Sequence, residues 1–148
     1  MNNLLSSKLY NNEDFYKVFE RDLRKASECV IIESPFITTR RMNELYPVIA
    51  RLCKRGIRIV VNTRNPDEHD DEYAAQATQA IGMMQEMGVD ILYTVKHHRK
   101  LAIIDNDILW EGSLNILSQN DSCEIMRRSV SSYLVTEMKR FIGAMRWI

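Results

Sequence analysis

Twice along this chain an amphipathic helical stretch runs into a glycine and then straight into a short branched-apolar run. The first joint is Gly56, between a helix read over about Arg41–Arg55 and the strand Ile57-Arg58-Ile59-Val60-Val61. The second is Gly88, between a helix ending at Met87 and the strand Val89-Asp90-Ile91-Leu92-Tyr93. Glycine just past a helix end is the residue that readily takes the left-handed conformation of a helix stop. Helices alternating with strands in this way call for crossover connections and parallel strand pairing.

The flanks extend the pattern. Phe15, Val18, Phe19, Leu23 and Ala26 share one face of a helix over about Asp14–Ala26, and Met42, Leu45, Ile49, Leu52 and Cys53 do the same in the next helix. Cys29-Val30-Ile31-Ile32 is a continuous apolar run, as expected of a strand covered on both faces. The polar stretch from Asn65 to Glu72 reads as a solvated loop feeding a helix whose first turn favours carboxylates. After Tyr93 the pattern changes: Leu101–Ile104 and Ile108–Trp110 flank Asn106-Asp107, a tight hairpin. A last helix, about Ser132–Trp147, places Val135, Met138, Phe141, Ile142 and Met145 on one side. The expectation is one α/β domain over 1–148, an α-β-α sandwich with a mixed, mostly parallel sheet and helices on both faces.

The hairpin region also holds the chemistry. On a strand alternate residues share a face, so His98 and Lys100 point one way and Leu101, Ile103 and Asp105 the other. The returning strand carries Ser113 and Asn115, also two apart, toward the first pair. An imidazole, an ammonium, an amide and a hydroxyl converging on one spot suit a phosphate. Lysine supplies a compact charge, asparagine a directed N–H, and histidine can serve as nucleophile or as acid and base. Such a set stabilises a transferring phosphoryl group without a metal. Each residue alone has a plainer structural reading; their conjunction carries the inference.

The order His98-x-Lys100, four residues, Asp105, six residues, Gly112-Ser113-x-Asn115 resembles the HKD motif of the phospholipase D superfamily with its Gly-Ser-x-Asn element. Glu33-Ser34-Pro35-Phe36-Ile37 resembles that family's first strand and turn. Glu124 resembles its downstream acid that orients the histidine. The wording from Trp110 to Ser118 and over Glu124-Ile125-Met126 is similar to HKD domains appended to some bacterial DNA helicases.

The resemblance implies a metal-independent phosphodiesterase acting through a phosphohistidine on His98, with Lys100 and Asn115 holding the phosphate, Ser113 supporting the site and Glu124 holding the His98 ring. In-line chemistry needs a second acid and base across the phosphorus. The family meets that need with two motif copies, and this sequence has one. The implied arrangement is a homodimer sharing one site across its two-fold axis. Gly112 and Asp105 are read as motif positions with structural work, Asp105 fixing the hairpin. No cofactor and no metal are expected.

The short chain and the lack of an amphipathic membrane-binding segment favour nucleic acid, DNA in particular, cut as a mostly sequence-nonspecific endonuclease would. The formal net charge is zero, so binding a polyanion depends on local clusters of cations. Lys96, Arg99, Arg127 and Arg128 beside the motif, and Arg40, Arg41 and Arg64 near strand ends, are candidate backbone contacts. The resemblance also implies a helicase or another DNA-processing protein as partner. Rival readings are a phospholipid or small-molecule phosphodiesterase, and a weakly active dimerisation or DNA-binding module.

His97 falls on the wrong face for catalysis, and His69 lies in an acidic loop without ligand spacing. Cys29, Cys53 and Cys123 are an odd, widely spaced set, read as reduced thiols. The first residues lack a basic start and an apolar run, and no segment reaches membrane-span length, so no leader and a cytoplasmic location are expected.

Overall fold

The computed structural model describes residues 6–119 and 121–147; residues 1–5, part of the start read for a leader, lie outside them. In chain order the elements are β1 (Ser6–Asn11), α1 (Phe15–Arg24), β2 (Cys29–Glu33), α2 (Thr39–Lys54), β3 (Arg58–Thr63), α3 (Asp71–Met87), β4 (Asp90–Tyr93), β5 (Leu101–Ile104), β6 (Ile108–Gly112), β7 (Ile125–Val130) and α4 (Ser132–Ile142). The strands form one sheet in the order β1-β7-β6-β5-β2-β3-β4.

Both glycine joints form as the sequence suggests. Gly56 and Gly88 have φ of 81° and 106°, and each is followed by a strand paired in parallel with its neighbour. At the start of α3, Asp70 accepts the Tyr73 N–H at 3.2 Å, with Asp71 and Glu72 in the first turn. An N-cap carboxylate there satisfies an orphan donor and meets the positive end of the helix.

The sheet is mixed, but the parallel share is smaller than the expected majority. Only β2–β3 and β3–β4 are parallel; β1–β7, β7–β6, β6–β5 and β5–β2 are antiparallel. The turn between β5 and β6 is too short for a crossover and makes that pair antiparallel. Two strands, β1 and β7, have no counterpart in the sequence reading. Their sequences, Ser-Ser-Lys-Leu-Tyr-Asn and Ile-Met-Arg-Arg-Ser-Val, carry little apolar alternation.

Helices cover both faces, unequally. On one face α1, α2 and α3 bring Phe15, Phe19, Met42, Leu45, Ile49 and Ile81 onto Val30, Ile32, Val61, Ala102 and Trp110. On the other, α4 and the turn after it seat Val135, Ile142 and Ala144 on Ile31, Val60, Leu101, Ile103 and Leu109. This last helix stops at Ile142, because Gly143 turns left-handed at φ 77°, short of the expected Trp147. Met145 lies beyond the helix and Phe141 lies in it but off the side that Val135 buries; they are 55% and 80% exposed.

Candidate active site

The antiparallel run β2–β5–β6 brings three strand ends together at one end of the central strands. Leu101 pairs with Glu33 on one side and with Glu111 on the other, and Gly112 N–H donates to Lys100 O at 3.3 Å. Residues 98–100 precede β5 rather than belonging to it, so His98 and Lys100 sit on an extended lead-in and not on the strand itself. They still meet. Lys100 Nζ lies 3.1 Å from His98 Nδ1 and donates to the His98 carbonyl at 2.8 Å. Both line one open cavity of about 620 Å³ together with Gly112, Ser113, Met138 and Phe141.

Gly112 has a steric reason to be glycine. A Cβ there would overlap the Ile125 carbonyl oxygen and crowd Met126 Sδ, at 2.8 Å. That close approach lets Ser113 N–H reach Ile125 O at 2.9 Å, while Ile125 N–H donates to Ser113 Oγ at 3.0 Å. Ser113 is thereby fixed at the cavity rim. The Ser113 and Ser122 hydroxyls beside Glu124 hold its carboxyl below the usual carboxylate range, and the Lys100 charge adds to the effect. Burial lowers the Lys100 pKa, helped by Arg64 and opposed by Glu124.

Two expected members stand apart. Asn115 is not on the cavity wall; its Oδ1 is shut away without a hydrogen-bond partner among the described residues. Glu124 has the two serine hydroxyls as neighbours, and the polar side-chain partner of His98 among the described residues is Lys100. Asp105 faces away altogether. At φ 56° it opens a three-residue turn, one longer than Asn106-Asp107 alone, and its carboxylate accepts the backbone N–H groups of Ser27, Glu28 and Cys29.

The family model described as cardiolipin synthase, PLD-like domain matches residues 19–145. The chain belongs to the phospholipase D-like family. No curated protein matches it significantly in sequence. Among solved structures it is similar to NucT from Helicobacter pylori, at TM-score 0.77 and 19% identity over 96% of each chain. It is also similar to Nuc, a phospholipase D family member from Salmonella typhimurium, at TM-score 0.76 and 14% identity over 97% of this chain and 95% of that one. TrmBL2, an archaeal chromatin protein, matches at TM-score 0.66 and 11% identity over 94% of this chain and 51% of its own.

Several candidate phosphate contacts of this phospholipase D-like chain are engaged internally. Arg128 makes two hydrogen bonds of 2.8 Å to Asp22. Arg41 lies 3.5 Å over the Tyr16 ring and bonds Glu44 at 2.7 Å. Arg64 donates to His97 O at 3.0 Å, Arg127 to Ser7 Oγ at 2.7 Å, and Arg99 grips Glu33. Lys96, at φ 57°, and Arg40 are not tied by an ion pair among the described residues. No group of three or more His, Cys, Asp or Glu side chains among the described residues could hold a metal ion, His69 and its acidic neighbours included. The three cysteines are free thiols, and no described helix is long and apolar enough to cross a membrane. Glu33, a carboxylate closing a buried strand run, meets the cation partner that such a position needs in Arg99, beside His98.

Proposed function

We propose that this chain, as one phospholipase D-like unit over 1–148, is a metal-independent phosphodiesterase that cuts DNA with little sequence preference. The observation that carries the reading is the His98–Lys100 pair, 3.1 Å apart on the wall of an open cavity shared with Ser113. His98 attacks phosphorus and becomes a phosphohistidine; Lys100 neutralises the phosphate oxygens, and Asn115 supplies a further donor once the amide turns to the site.

A protonated Lys100 can only donate, so while it contacts Nδ1 a neutral His98 carries its proton on Nε2. Attack through Nε2 requires the other tautomer. A phosphate that draws Lys100 to itself releases Nδ1, and Glu124 accepts the new Nδ1–H once its carboxylate swings from its serine neighbours to the ring.

One motif imidazole per chain leaves the leaving oxygen without an acid, which a second copy supplies. Exposed apolar groups beside the site, Phe141 at 80% and Ile125 at 58% exposure, suit a contact between copies. The DNA assignment is supported by the fold shared with TrmBL2, whose solved structure is described as showing a mode of DNA binding. A phospholipid substrate is the second reading, favoured by the cardiolipin synthase description of the matching family model.

The test is incubation of wild type and His98→Ala with single- and double-stranded DNA and with phospholipid vesicles, each with and without EDTA. DNA cleavage by wild type that survives EDTA and disappears in His98→Ala is expected. Cleavage by His98→Ala removes the mechanism; loss in EDTA reveals a metal; turnover of vesicles alone favours the second reading.

A further inference from the structure

Glu33 is the last residue of β2 and is wholly buried. Both of its oxygens are used. Oε1 accepts from Arg99 Nε at 2.6 Å and lies 3.3 Å from His97 Nε2. Oε2 accepts from Arg99 Nη2 at 3.1 Å and from Asn62 Nδ2 at 2.9 Å. Asn62 Oδ1 in turn accepts from Thr94 Oγ1 at 2.9 Å, and Thr94 N–H donates to Thr63 O at 3.0 Å. Burial raises the carboxyl pKa, but the facing His97, Arg99 and Asn62 groups outweigh it and hold Glu33 below the usual range.

Stability alone gives a weak account of this cluster, since a buried ion pair is often no better than an apolar replacement. Its partners in sequence point elsewhere. Of the groups on Glu33, two come from residues 97 and 99, the immediate neighbours of His98. The segment 94–100 pairs in no strand ladder; its backbone is held at Thr94, Lys96, His97 and Lys100, and no backbone bond is made by His98 N–H or Arg99 N–H among the described residues. With 97 and 99 drawn to Glu33, 98 and 100 are left to meet each other on the cavity wall, as the 3.1 Å contact between Lys100 Nζ and His98 Nδ1 records. Arg64 adds a brace to the same segment through its 3.0 Å bond to the His97 carbonyl.

We propose that Glu33 is a positioning residue: through its two bonds to Arg99, with the buried His97 ring packed beside it, it holds the chain around His98 and so sets the aim of the imidazole. Arg99, a sequence candidate for DNA contact, belongs to the clamp. The proposal rests on His98 being the reacting group.

Glu33→Gln, Arg99→Gln and the double variant of the full chain are compared with wild type and His98→Ala. The readouts are kcat and KM on bis(4-nitrophenyl) phosphate and on DNA, the pH–rate profile, and the His98 ring signals by NMR. Each single variant should lose about 100-fold in kcat, the scale of a small misplacement of a reacting group. KM should change by less than ~3-fold. The His98 ring signals should shift or broaden and the pH–rate profile should move with them. The double variant should be no worse than either single one, because both cut the same link.

Arg99 is partly exposed, so Arg99→Gln can turn to water and keeps the test open where Glu33→Gln fails to fold. Folded variants with wild-type kcat, or losses matching only the unfolded fraction, overturn the clamp. A rise in KM on DNA alone overturns it as well and returns Arg99 to the substrate. Activity in His98→Ala would sink the reading of the site instead.

Discussion

Asp105 directs its carboxylate at backbone. Oδ1 accepts from Glu28 N–H at 2.8 Å and Cys29 N–H at 3.1 Å, and Oδ2 from Ser27 N–H at 3.0 Å. These are charge-assisted bonds, and they tie the turn after β5 to the loop entering β2. Asp105→Ala loses them and also places an alanine at φ 56°, where aspartate and asparagine are better tolerated. The expected cost is about 2 kcal/mol of unfolding free energy, less for Asp105→Asn, with wild-type turnover per folded molecule. Denaturant unfolding with activity assays checks it; a fall in kcat at unchanged stability would place Asp105 in the chemistry. Strand alternation makes its separation from His98 and Lys100 legible in the sequence. Its partners, 76 to 78 residues away, are not legible, since no local pattern names the loop a carboxylate will cap. Asn115 shows the same limit: spacing puts it near Ser113 but cannot say which way an amide turns.

At the level of elements, α1, β6 and β7 meet at one buried carboxylate. Asp22 of α1 accepts two bonds from Arg128 of β7 and one from Trp110 Nε1 of β6, at 2.9 Å. Trp110 is wholly buried against Phe15 and Tyr10, with ring centroids 4.9 and 5.1 Å away. Removing the cation strands a buried charge, so Arg128→Ala should cost roughly 3–5 kcal/mol. Thermal or urea unfolding measures the loss. If Arg128 instead met DNA, the same substitution would leave stability intact and reduce the salt dependence of binding by about one phosphate contact. The helices and the strands β2 to β6 could be read from periodicity because each buries a recognisable stripe or run. β1 and β7 could not. Their apolar residues are few, and in β7 an arginine occupies a position that faces the core side, made acceptable only by Asp22 from a distant helix.

For the whole molecule, the unequal cover of the two sheet faces and the single motif imidazole per chain bear on the same question. A net charge of zero says nothing about assembly, and the sequence supplied only the count of motifs; the exposed Phe141 and Ile125 beside the site came from the fold. Subunit mixing decides whether two chains share one site. Wild type is mixed with an equal amount of His98→Ala, unfolded together and refolded so that partners are drawn at random. If each active site needs His98 from both chains, only homodimers of wild type work, and about a quarter of the assemblies remain active. If each chain works alone, about half of the total activity remains, because dilution merely removes the mutant half. The proportions separate further as the mutant share rises, since one dependence is the square of the wild-type fraction and the other is linear. A linear fall, with sedimentation reporting dimers throughout, would mean that copies associate without completing each other's chemistry, and the acid that protonates the leaving oxygen would have to come from the same chain as His98.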